Sequence, residues 1–260
     1  MFFLPSSSWN FKSHVGAISH GWRVCARVLH SLGQRHKGHG FTHSAARSRQ
    51  VFEAFNKSGF KPELTFSHWL GKVYCDNDLN DFVDIIFNSG NGLCEVDDLW
   101  FKHAVPGQVF GFPVKFCPPE EMIWTKAFVM ERERYDGADV MHLLFKCSEN
   151  LDWSRLVSRF DCHWKVLLSH LILFGYIYPS EVERIPQSVL QELLARLGHE
   201  MTAPIVAKQA CQGSLLSRTQ YRFDIENMGY TDARLAPDSK MSPEETIDWT
   251  AAADDAEEQK

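Results

Sequence analysis

The chain has 260 residues and a mass of 29.8 kDa, enough for one large domain or a domain with a helical annex. Hydrophobic residues make up 44% and charged residues 23%, which excludes a disordered, collagen-like or coiled-coil chain. The formal net charge of −6 argues against bulk electrostatic binding to nucleic acid. The longest apolar run, residues 166–178, is 13 residues long and includes Ser169 and His170. It is too short to span a bilayer and reads as a buried helix, so no membrane partner is expected. Seven cysteines occur without a Cys-x-x-Cys pair, which points to reduced thiols and a cytoplasmic location.

Charge is distributed unevenly. Residues 1–52 contain no Asp or Glu and carry seven Lys or Arg, eight Ser and six of the 12 His, so this fifth of the chain is +7 and the remainder −13. Three readings fit the segment. It is a targeting peptide, which is likewise Arg-rich, Ser-rich and poor in acids. It is a basic arm for an anionic partner. Or it is translated out of frame and was never selected as protein.

The spacing of apolar residues predicts a helix over residues 47–58, with Val51, Phe52 and Phe55 on one face and Gly59 as its C-cap. Short strands follow at 60–66 and 72–75. Residues 82–87 read as a strand that is apolar except for Asp84. Asn88-Ser-Gly-Asn-Gly92 is a turn cluster, with Asn91-Gly92 suited to positive φ. Residues 108–110 and 114–116 alternate around Gly111 as a hairpin. Pro118-Pro119 opens a helix running to about residue 134. Asp136 opens another over 137–147, and helical patterns cover 153–160, 162–176 and 187–197. Weaker helices fall near 217–228 and 243–252 in a polar tail. The fold class is α+β followed by a helical half.

Asp84 is the most informative single residue. A carboxylate inside an apolar strand is costly to bury unless it is paired or binds a cation, and Mg²⁺ takes oxygen ligands of this kind. The alternative is a strand whose second face is wet. Lys126 sits in an apolar helical stretch, where it either reaches a phosphate as a point charge or snorkels to solvent. Arg132 and Arg134 follow, and Asp136 with Asp139 has the spacing of a capping box. His36, His39 and His43 have metal-like spacing but lie in the anomalous segment with no Cys or acid beside them. No P-loop, hydrolase-elbow or zincin motif is present in the sequence.

Three stretches carry a resemblance. They are Phe82-Val-Asp-Ile-Ile-Phe-Asn-Ser-Gly-Asn-Gly92, the segment from Pro118 to Val140 that contains Trp-Thr-Lys126-Ala-Phe-Val-Met-Glu-Arg132-Glu-Arg-Tyr-Asp-Gly-Ala-Asp139, and Cys211-Gln-Gly-Ser-Leu-Leu-Ser-Arg-Thr-Gln-Tyr221. Over about residues 51–252 the chain resembles a bacterial nucleotidyltransferase-like family of the DNA polymerase beta superfamily. In that superfamily a Gly-Gly turn opens a helix, a strand carries Asp-x-Asp, and a later strand carries a third acid. The three acids hold two Mg²⁺ ions that bind the triphosphate and activate a hydroxyl. The resemblance implies that Asp84 is the third acid and a Mg²⁺ ligand, and that Lys126, Arg132 and Asp139 face the nucleotide. It also implies a mixed sheet with flanking helices, and NTP and a hydroxyl compound as substrates.

The Gly-Gly and Asp-x-Asp motifs should precede Val51 and are missing. Codons for residues 34–41, read one base later, permit Arg-Asp-Thr-Lys-Asp-Met-Asp-Leu. Codons for residues 17–26 permit Pro-Phe-Leu-Met-Gly-Gly-Ala-Tyr-Ala-Leu. The single codon of Trp22 followed by a CGN codon for Arg23 forces glycine in that frame. Both motifs fit one shifted frame in the right order, which favours the out-of-frame reading. The expected organisation is an aberrant, poorly packed segment over 1–50, an incomplete nucleotidyltransferase-like α/β core over 51–117, a helical region over 118–200 and a polar extension over 201–260. The expected function is a metal-dependent nucleotidyltransferase inactive in this chain, the alternative being a non-catalytic pseudoenzyme or interaction module.

Overall fold

A computed structural model describes residues 44–74, 82–109, 112–202 and 209–258. The expectations for residues 1–43, including the histidines at 36, 39 and 43, lie outside them. The architecture is α+β, with small sheets in the first half and a helical second half. The chain divides into two compact units, Met1–Cys117 and Pro118–Lys260.

The first unit begins with α1 (Ser44–Lys57). Its end is a Schellman motif: Gly59 takes φ +86°, and the Phe60 N–H donates to the Phe55 carbonyl at 3.1 Å. The same reversal stacks the Phe55 and Phe60 rings edge to face, 5.8 Å apart. Strands β1 (Lys61–Phe66), β2 (Leu70–Tyr74) and β3 (Phe82–Ile86) form one antiparallel sheet in that order. Val73 lies opposite Val83, and both join Phe55 and Phe60 in a core that Val51 and Ile85 extend. Side chains alternate along a strand, so Lys72, Tyr74, Phe82 and Asp84 fall on the other face of the sheet. The described strands of this unit are antiparallel throughout, whereas the mixed sheet of the resembling superfamily needs parallel neighbours.

The turn cluster after β3 is held by its own side chains. Ser89 Oγ donates to Asn91 Oδ1 at 2.6 Å and accepts from the Cys94 N–H at 2.8 Å. Only Gly92 of the expected Asn-Gly pair takes positive φ, at +75°. A short helix, α2 (Asp98–Lys102), follows, capped by Asp97, whose carboxylate accepts from the Leu99 N–H. The hairpin of β4 (Val105–Val109) and β5 (Phe112–Phe116) completes the unit.

The second unit packs α3 (Pro119–Ala127), α4 (Gly137–Cys147), α5 (Trp153–Phe160), α6 (Trp164–Ile177) and α7 (Gln187–Thr202). Buried side chains recur at helical spacing: Val140, Met141 and Leu144 on α4, Leu156, Val157 and Phe160 on α5, and Leu167, Leu171 and Phe174 on α6. The tail adds β6 (Ala210–Cys211), α8 (Arg222–Asn227), β7 (Thr231–Asp232) and α9 (Pro243–Glu258). Strands β6 and β7 pair in parallel. Arg234, almost fully buried, ties them to α9 through Asp232 and Thr250.

Two sequence expectations are corrected here. The helix expected to run to residue 134 stops at Ala127, because the chain beyond it turns back as a bridge between Met130 and Tyr135. The tail imposes this: the Met130 N–H donates to the Leu216 carbonyl at 3.0 Å. The apolar run 166–178 is not buried all round. On α6 the side of His170, Leu171 and Phe174 is buried, while Ile172, Leu173, Tyr176 and Ile177 are exposed.

Candidate functional site

Asp84 belongs to the first unit and is neutralised within it. It lies directly across the ladder from Lys72, whose ammonium is 3.1 Å from Asp84 Oδ1. Glu63 faces Lys72 from the other side, so the three strands carry an acid–base–acid row. The Lys72 ammonium also sits over the Phe82 ring, 3.6 Å from its centroid. Both partners are about a quarter exposed. The apolar strand thus keeps its carboxylate by setting it on the face away from α1, opposite a cation.

This chemistry does not fit a Mg²⁺ centre. Mg²⁺ asks for octahedral oxygen ligands, and two-metal sites share several carboxylates. Among the described residues no group of three or more His, Cys, Asp or Glu could hold a metal ion. Asp84 brings one carboxylate and, against it, an ammonium that would repel the cation.

Lys126, Arg134, Asp136 and Asp139 come together in the second unit. Lys126 occupies the last turn of α3, and its ammonium bridges Asp136 Oδ2 at 3.1 Å and Asp139 Oδ2 at 2.6 Å. Arg134, in the turn between α3 and α4, donates from Nε to Asp136 Oδ1 at 2.9 Å and from Nη2 to Oδ2 at 2.8 Å. Burial by itself would raise the Asp136 carboxyl, but the hydrogen bonds and charges of Arg134 and Lys126 outweigh it and hold it below the usual carboxylate range. The capping-box expectation is therefore corrected. Asp136 does open α4, but its carboxylate serves the two cations and makes no cap hydrogen bond.

Gly137 gives the exposed Tyr135 ring room at the next position. The Tyr135 ring lies across it, so a Cβ there would come 2.0 Å from Tyr135 Cζ. Arg132 projects from the same turn, exposed and with no hydrogen bond or ion pair among the described residues. The tail frames the turn from below. Glu131 accepts from Ser217 Oγ at 2.6 Å and from the Arg218 N–H at 3.2 Å, and Gln220 donates to the Met130 carbonyl. Arg218 in turn lies over the Trp249 ring, 4.1 Å from its centroid. The cluster is close to neutral, with two cations against two carboxylates. A phosphate arriving at Lys126 would compete with both acids, which leaves Arg132 as the uncompensated cation of the turn.

Sequence reasoning missed a second charged cluster. Glu121 is fully buried and takes Arg155 Nη1 at 2.5 Å and Arg159 Nη2 at 3.2 Å. Glu120 takes Arg155 Nη2 at 2.6 Å and the Asp152 N–H at 2.7 Å. Two acids after Pro118-Pro119 match an ordinary helix start, where they favour the dipole. The usable signal was Arg155 and Arg159, four apart on one face of α5.

Comparison with known proteins adds no relative: no family model matches the chain, and no curated protein and no solved structure is significantly similar to it. Among the described residues no helix is long and apolar enough to cross a membrane. The described cysteines, Cys94, Cys117, Cys147, Cys162 and Cys211, form no disulfide with one another.

Proposed function

We propose that the chain is a non-catalytic relative of metal-dependent nucleotidyltransferases, the enzymes that move a nucleoside monophosphate from an NTP to a hydroxyl acceptor. The lineage rests on the sequence resemblance around Asp84 and from Lys126 to Asp139. The loss of activity rests on one observation above the others, the pairing of Asp84 with Lys72 at 3.1 Å. A metal carboxylate is useful when its negative charge is available to the ion. Here an ammonium already uses it, and the Gly-Gly and Asp-x-Asp motifs that would complete the centre are missing from the sequence.

Calorimetric titration of Mg²⁺, and of NTP with Mg²⁺, tests the reading. No saturable metal-dependent NTP binding is expected. Saturable binding that disappears in Asp84→Ala would overturn it. A non-enzymatic role as an interaction module is favoured by a separate observation, the exposed apolar side of α6.

A further inference from the structure

We infer that Asn91-Gly92 is a latent site of covalent self-modification, deamidation through a succinimide, and that the turn after β3 keeps it latched through Ser89. The step needs water and no other reactant. The Gly92 amide nitrogen loses its proton to solvent base and attacks Asn91 Cγ, which closes a five-membered ring. The negative charge passes to Oδ1 and returns as the Cγ–Nδ2 bond breaks and ammonia leaves with a proton from solvent. Water then opens the succinimide at either carbonyl, leaving aspartate or isoaspartate at position 91. Glycine favours the closure because no side chain crowds the attacking nitrogen.

The folded turn holds both reacting groups apart. The Gly92 N–H donates to the Ser89 carbonyl at 2.9 Å. A hydrogen bond to the neutral N–H disfavours its ionisation, so the nucleophile stays in its unreactive form. Gly92 and Cys94 are buried, which keeps solvent base from that proton. The Asn91 carboxamide is fixed as well, because Oδ1 accepts from Ser89 Oγ at 2.6 Å and from the Leu93 N–H at 3.2 Å. Ring closure turns Cγ toward the Gly92 nitrogen, and these two bonds resist the rotation. Ser89 joins the restraints: its carbonyl holds the nucleophile, and its hydroxyl holds the carboxamide while accepting from the Cys94 N–H at 2.8 Å. His68 Nε2, 3.0 Å from the Gly90 carbonyl, ties the same turn to the β1–β2 connection. The reaction therefore follows the population of the locally opened turn. Its product carries a new carboxylate, and isoaspartate also adds a methylene to the main chain beside the buried Cys94. Conversion is then a one-way record that the turn has opened.

Peptide mass spectrometry after incubation of the full chain at mildly alkaline pH tests the proposal. In native buffer the wild type should convert at position 91 about tenfold more slowly, or slower still, than the same chain in urea. Ser89→Ala removes the hydroxyl and keeps the carbonyl, and should raise the native rate several-fold. Gly92→Ala should slow conversion in urea, which identifies the Gly92 nitrogen as the attacking atom. Hydrogen exchange of the wild type gives a readout that needs no variant: the Gly92 and Cys94 amides should be protected. Native conversion as fast as in urea overturns the latch, and so do unprotected Gly92 and Cys94 amides. A folded Ser89→Ala chain that converts at the wild-type rate overturns the role of the hydroxyl. Absence of conversion in urea overturns the site itself.

Discussion

Asp84, in an apolar strand, and Asp136, in a charged turn, are both neutralised by cations, and the two units do so differently. On the sheet, Asp84 has one cation, Lys72, supplied by the residue directly across the ladder, and its side chain keeps 25% exposure. Asp136 is only 8% exposed and draws on two cations from different places, Lys126 on the preceding helix and Arg134 in the turn. A strand offers a side chain few neighbours on its own face. A buried helix start collects partners from several segments at once. The contrast teaches that an isolated acid in an apolar run reports a local cation as readily as a metal, and that burial decides how much the pair matters. Pairs that keep contact with solvent contribute about 0–1 kcal/mol, whereas breaking a buried pair costs about 3–5 kcal/mol.

The largest expected effect lies in the helical unit. Glu121→Ala leaves Arg155 and Arg159 buried without their shared acid and should destabilise that unit by about 3–5 kcal/mol in urea unfolding followed by tryptophan fluorescence. A loss under about 1 kcal/mol would erase the contrast between the units.

Asp136→Asn should cost about 2–3 kcal/mol, because Lys126 and Arg134 lose a charged acceptor while Asp139 still holds Lys126. Its pH dependence has a definite sign. The folded carboxyl lies below its unfolded value, so its stabilisation is complete above about pH 4 and is lost as pH falls through the folded pKa. Stability measured from pH 6 to pH 2 should fall less steeply in Asp136→Asn than in the wild type. Parallel acid limbs would contradict the assignment.

His170 makes a third, smaller effect. It is fully buried on α6, its Nε2–H donates to the Ala127 carbonyl at 3.0 Å, and Nδ1 has no hydrogen-bond partner among the described residues. Burial pushes its pKa down. A histidine held neutral contributes stability that is complete above its unfolded pKa and is lost as pH falls below about 6.5, with a slope of at most about 1.4 kcal/mol per pH unit. His170→Gln should flatten stability between pH 6.5 and pH 5. An unchanged slope there would show that the imidazole protonates freely.

The smallest effects belong to the sheet. Asp84→Ala and Lys72→Met should each change stability by no more than about 1 kcal/mol. If Asp84→Ala costs as much as Glu121→Ala, the sheet pair is a buried pair and the comparison fails.

The sequence makes local features legible and hides those made by distant contacts. The Schellman end of α1 at Gly59, the strand around Asp84 and the start of α4 at Asp136 all follow from neighbours in the chain. The end of α3 does not. Residues 128–134 continue the helical pattern, and contacts from more than 80 residues away, among them the Leu216 carbonyl and the Ser217 hydroxyl, hold them in a turn instead. Strands β6 and β7 are two residues each, too short for any period to show. Asp136 and Asp139 have true capping-box spacing, and nothing in it reveals that Lys126 and Arg134 would claim the carboxylate. The candidate site was therefore legible as a set of residues around Lys126 but not as a closed, nearly neutral cluster.

Transfer of labelled nucleotide is the most direct measurement. The 260-residue chain and a second chain carrying Pro-Phe-Leu-Met-Gly-Gly-Ala-Tyr-Ala-Leu over 17–26 and Arg-Asp-Thr-Lys-Asp-Met-Asp-Leu over 34–41 should be assayed side by side with Mg²⁺ and each NTP. The present chain should transfer nothing, with or without Asp84→Ala. The second chain should bind Mg-NTP, and Asp84→Ala should abolish that binding. Robust Mg²⁺-dependent nucleotidyl transfer by the 260-residue chain would contradict the claim that its metal centre is lost.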